Sequence, residues 1–161
     1  MAKNSTALSA TADREISITR LFNAPRDLVF TVWTEQKHLD AWWGPDGFRN
    51  TTHEIDVRPG GVWRFTMHGP DGVDYPNRVS FLEVIRPERL VFLQGNDSME
   101  NPVRVHFHVT VLFEERGAQT EITMTMVFET SAERTMVAEQ YGAVEGQQQH
   151  MNRLEKYLGS L

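Results

Sequence analysis

"TSAERTMVAEQYGAVEGQQQHMNRLEKYLG", residues 130–159, decides the architecture. Thr130 and Glu133 have the spacing of a capping box, in which the first side chain holds the helix's free N–H groups. No proline follows, so the pattern predicts one helix to about Gly159. At ~1.5 Å per residue it would run roughly 40 Å. Its apolar stripe collects Met136, Ala143, Val144, Met151, Leu154 and Leu158. Gln140 and Gln147 interrupt that stripe, and Gly142 and Gly146 fall one turn apart beside them. A mid-helix glycine costs ~1 kcal/mol against alanine. A helix lying on a solid core would carry large apolar groups here. Small and polar ones imply a hollow beneath the helix, a hinge, or a close approach by another element or subunit.

A helix with one apolar face needs a surface to cover, and the preceding sequence supplies it. "TEITMTMVFE" (120–129) sets Ile122, Met124, Met126 and Phe128 against threonines. "VRVHFHVTVLFEE" (103–115) sets Val105, Phe107, Val109, Val111 and Phe113 on one side and Arg104, His106, His108 and Thr110 on the other. "RLVFLQ" (89–94), "NRVSFLEVI" (77–85), "VWRFTM" (62–67) and "TTHEIDV" (51–57) precede them, separated by turns at "RPE", "HGPDG" and "RPGG". Strict alternation marks half-buried strands, and such strands in succession form an antiparallel sheet covered on one face. "REISITRLF" (14–22) is a further strand. Between it and the rest lie two short helical patterns, "NAPRDLVFTVWT" (23–34) and "TEQKHLDAWWG" (34–44). Pro25 suits the start of the first, Thr34 the cap of the second, and Gly44-Pro45 its stop. The predicted class is therefore α+β, a curved antiparallel sheet gripping a long C-terminal helix.

Composition bounds the function. The chain has 161 residues, a net charge of −6 and no cysteine. The acidic balance without a basic stripe argues against nucleic acid. The missing cysteine excludes disulfides and thiolate metal sites and points to a reducing, cytoplasmic setting. Residues 1–12 read as a flexible tail and 13–161 as a single domain. No apolar run is long enough to insert in a membrane. Neither a nucleophile elbow nor a phosphate loop is present.

Four separated stretches carry a resemblance: "WWGPDGF" (42–48), "DVRPGGVWRFTMHGPDG" (56–72), "EVIRPERLVF" (83–92) and "EQYGAVEGQQQHMNRLEKYL" (139–158). In this order they resemble the activator-of-Hsp90-ATPase-like branch of the SRPBCC, or START-like (Bet v 1-like), superfamily. The resemblance implies the helix-grip fold: seven antiparallel strands, two small helices after the first, and a cavity under the long helix. It also implies three kinds of function. The first is binding of a small hydrophobic or amphipathic ligand, with no cofactor and no metal. The second is a cyclase or aromatase chemistry in the same cavity. The third is protein interaction, as a chaperone ATPase regulator. Apart from the resemblance, a homodimer is expected on the general ground that symmetric pairs are the commonest oligomers.

With that cavity in place, alternation nominates its walls. His53, Phe65, Met67, Phe107, Met124 and Met126 are expected on the sheet's inner face, and Tyr141, Val144 and Gln147 on the helix. Methionine suits a wall that adapts to its ligand, and equally an ordinary core. His53 is a candidate ligand contact or base, or else a core histidine bonded to a neighbour. His106 and His108 point one way on the polar face, where a solvated surface outweighs a metal site. Of Trp42 and Trp43, one is expected to plug the seam between helices and sheet. The other, Trp43, is assigned to the cavity mouth.

Overall fold

The computed structural model describes residues 12–97, 107–140 and 143–161. A single 3-10 turn (Ala12–Arg14) leads into β1 (Glu15–Phe22), followed by α1 (Arg26–Val32) and α2 (Gln36–Trp42). Six strands follow: β2 (Arg49–Ile55), β3 (Val62–His68), β4 (Asp74–Ile85), β5 (Arg89–Asn96), β6 (Phe107–Arg116) and β7 (Gln119–Val127). Two helices follow the sheet, α3 (Ser131–Gln140) and α4 (Ala143–Gly159); whether they join as the one predicted helix falls on residues 141–142, outside the described residues. Most of the tail, residues 1–11, lies outside the described residues, as do Arg104, His106, Tyr141 and Gly142.

The seven strands form one antiparallel sheet in the order β1-β7-β6-β5-β4-β3-β2. β1 and β2 sit at opposite edges because α1 and α2 carry the chain across between them. The chain then meanders back until β7 pairs with β1, Glu15 opposite Val127 and Phe22 opposite Thr120. The inner face buries Trp63, Phe65, Val79, Phe81, Leu90, Phe92, Val109, Val111, Phe113, Ile122, Met124 and Met126. These are the apolar positions of the alternating runs, so burial of one sheet face is what the pattern encodes. Two bulges interrupt the ladder, between Thr52 and Glu54 and between Phe81 and Glu83.

Local signals hold at the helix ends, with one exception. The Thr130 hydroxyl accepts from the Glu133 N–H at 3.0 Å, one of the two bonds of a capping box, while Glu133 Oε1 is buried without a partner. Thr34, expected to cap α2, instead bonds backward, its hydroxyl donating to the Phe30 carbonyl at 2.9 Å. Glu35 takes the cap position of α2 with no side-chain bond. A threonine at the junction of two helices can satisfy either a preceding carbonyl or a following N–H, and here the carbonyl wins.

α4 is tied down on both sides. From β1, Arg20 donates to Asn152 Oδ1 at 2.6 Å and to Gln148 Oε1 at 2.8 Å. From α2, His38 Nδ1 and the Tyr157 hydroxyl share a hydrogen bond of 2.6 Å. Met151, Leu154 and Leu158 are buried between these ties.

Candidate functional site

The junction "WWGP" is where α2, the sheet and α4 meet. Trp42 is buried, and its indole N–H donates to the Val32 carbonyl at 2.9 Å. It is the seam plug, locking α2 to the end of α1. Trp43 packs beside it, the two rings 5.4 Å apart, and reaches the sheet as well. Its ring meets Trp63 edge-on at 5.0 Å and the His150 ring at 4.6 Å. The chain reverses at Gly44 with φ +103°, a conformation open to glycine. A Cβ there would lie 2.8 Å from Met67 Cε, so glycine also admits the sheet's approach.

α4 grips this turn through two side chains. The Gly44 N–H donates to His150 Nδ1 at 3.0 Å. Arg153 donates to the carbonyls of Trp43, Gly44, Pro45 and Phe48 at 3.3, 3.0, 2.7 and 3.1 Å. His150 is buried, and burial together with the neighbouring Arg153 charge pushes its pKa down to about 3. The imidazole is thus neutral at physiological pH. Since Nδ1 accepts the Gly44 N–H, its own hydrogen is on Nε2.

Beside this turn, between the inner sheet face and α4, is a cavity of about 210 Å³. Trp43, Met67, Phe107, Met124, Met126 and Gln147 line it. So do Gly44, Pro45, Phe92, Gln94, Val109, Gly146 and His150. None of these side chains is an acid, a lysine or an arginine. Gly146 forms part of the roof, and a Cβ added to it meets nothing within 4 Å among the described residues. The glycine therefore leaves space rather than admitting a close neighbour. Gln147 Oε1 is buried without a hydrogen-bond partner.

Other sequence-nominated residues stand elsewhere. His53 is exposed on the outer face, bonded to the Thr66 hydroxyl at 2.8 Å. The bulge at Thr52/Glu54 is the reason: one extra residue reverses the side-chain phase of the strand. Phe65 is inward and buried but stacks on Trp63 at 3.8 Å, in the packed part of the core rather than on the cavity. Val144 is 48% exposed. At 3.6 residues per turn it falls on the flank of the face shared by Gln147, His150 and Leu154. Tyr141 lies outside the described residues. His108 is half-buried on the outer face opposite Leu93 and Val127. Among the described residues no group of three or more histidines and carboxylates is placed to hold a metal.

Of the lining residues absent from the sequence nomination, Gln94 and Phe92 among them, the one that also bonds the turn is His150. Its signal was spacing: it stands three residues after Gln147 and four after Gly146, on one helix surface with both. A polar residue within "QQQH" gave no apolar contrast to mark it.

Fold and cavity define a helix-grip protein, and comparison with known proteins agrees. Residues 23–159 match the family described as "Activator of Hsp90 ATPase homolog 1-like protein", and the chain belongs to that family. The fold is that of the Bet v 1-like, SRPBCC proteins. The solution structure of a protein from Arthrobacter aurescens is 24% identical, with a TM-score of 0.87 over 95% of this chain and 90% of that one. A crystal structure from Nitrosomonas europaea is 25% identical, with a TM-score of 0.80 over 92% of this chain and 96% of that one. The AHSA1 protein of Silicibacter pomeroyi is 20% identical, with a TM-score of 0.75 over 90% and 97% of the two chains. No curated protein matches the sequence. Among the described residues no helix is long and apolar enough to cross a membrane.

Proposed function

We propose that the protein binds a small, predominantly apolar molecule in the cavity between the sheet and α4. The observation that carries this reading is the hollow itself, about 210 Å³ walled by aromatic and thioether groups and roofed at Gly146. Protein interiors hold few voids larger than a water molecule, so a space of this size with these walls is a candidate binding site. Its size sets the scale of the occupant. An apolar cavity of about 150 Å³ accommodates benzene, so a substituted single ring suits this one. Burial at roughly 25 cal/mol per Å² of apolar surface supplies the affinity. The three methionines can adjust to the ligand's outline.

This reading is favoured over an acid–base reaction in the same cavity. The nominated base, His53, faces away from it. The histidine that does line the cavity, His150, has its basicity suppressed by burial. A cysteine-free sequence supports a reducing, cytoplasmic setting for the ligand.

Methionine-methyl NMR tests the proposal. Saturating toluene is expected to shift the methyl signals of Met67, Met124 and Met126, which line the cavity. Unchanged signals from all three at saturation would reject it.

A further inference from the structure

Resting on the binding reading above, we infer that the cavity selects a neutral ligand carrying a hydroxyl, a phenol above all, bridged between His150 Nε2 and Gln147 Oε1. Both residues line the cavity, and both come from α4. Their spacing of three makes them neighbours on one helix surface, with Cβ atoms about 5–6 Å apart. They offer opposite chemistry. His150 has committed Nδ1 to the Gly44 N–H, which leaves Nε2–H as a donor. Among the described residues no protein acceptor takes it. Gln147 Oε1 is an acceptor, buried and unpaired. One hydroxyl satisfies both at once, accepting from Nε2–H and donating to Oε1.

The rest of the wall decides the charge. Among the described residues the lining includes no ionised side chain, and Arg153, which holds the adjoining turn, is spent on four carbonyls of Trp43–Phe48. A carboxylate ligand would enter an apolar space without a counter-ion, which is costly. A purely apolar ligand would cover the donor and the acceptor without pairing either. A site built to bond a hydroxyl discriminates strongly against the analogue lacking it for that reason.

Two ligands of one outline, p-cresol and p-xylene, and a charged, slightly larger relative, 4-methylbenzoate, test the inference by calorimetric titration of the full chain. p-Cresol is expected to bind at least about tenfold tighter than p-xylene, and 4-methylbenzoate more weakly than both. In Gln147→Leu the advantage of p-cresol over p-xylene is expected to shrink to about twofold or less, with p-xylene still bound. Equal binding of p-cresol and p-xylene by the natural protein would overturn the inference while leaving the binding reading intact. So would an advantage that survives in Gln147→Leu, or a preference for 4-methylbenzoate. If none of the three binds, the binding reading fails as well.

Discussion

The two halves of α4 face the same sheet and do opposite things. Toward its C-terminus, Met151, Leu154 and Leu158 are buried, and Tyr157 is tied to His38. Toward its N-terminus, Gly146 and Gln147 stand over open space, with an amide oxygen left unpaired. His150 and Arg153 mark the boundary, fastening the helix to the Trp43–Phe48 turn. One half is built for stability. The other gives up packing and helix propensity, about 1 kcal/mol for the glycine alone, in exchange for a hollow. The difference shows that a helix can be read as two functional segments when its face changes from large and apolar to small and polar.

Substitution in the solid half gives the largest effect. Leu154 is fully buried, so Leu154→Ala is expected to lower stability by about 3–4 kcal/mol in urea unfolding. A cost below about 1 kcal/mol would mean the C-terminal half is not the packed one.

The boundary supplies the next effect through pH. His150 has a folded pKa of about 3 against an ordinary value of 6.5, so protons bind the unfolded chain more readily. The stability contributed by neutral His150 is complete above pH 6.5 and is lost as pH falls toward 3. Relative to His150→Phe, the natural protein should lose about 1.4 kcal/mol per pH unit below 6.5, or about 2–3 kcal/mol by pH 4.5. Parallel stability curves for the two proteins over that interval would show that His150 is not held neutral.

The hollow half gives the smallest effect, with the opposite sign. Gly146→Ala is expected to raise stability by about 0.5–1 kcal/mol, because the new methyl meets open space in a helical backbone. A loss of stability would place a packed neighbour over Gly146 and close the contrast between the halves.

Most of the fold was legible in the sequence, for a physical reason. A sheet with one buried face forces a two-residue period, and that period located every strand from Glu15 to Val127. The hollow was only one of three readings that Gly146 and Gln147 left open, beside a hinge and a close approach, and the cavity itself came from the family resemblance. What escaped depends on phase. The bulge beside Thr52 turned His53 outward, and no residue type announces a bulge of that kind. On α4 the large apolar residues drew the apparent stripe toward Val144 and away from His150. The assignment of Trp43 rather than Trp42 to the cavity agrees with the lining, while the bond that fixes Trp42, from its indole N–H to the Val32 carbonyl, has no local sequence signal.

The pairing of β1 with β7 has a consequence in time. Glu15 meets Val127, so the first strand finds β7, its neighbour in the sheet, after more than a hundred further residues have been made. Until then its edge is a bare ladder of amides, and the α4 roof does not yet exist. Contacts of such long range form slowly, because distant segments must be brought together before they reward the chain. The cavity therefore takes shape only after both the strand that completes the sheet's order, β7, and the helix that roofs it, α4, have been made.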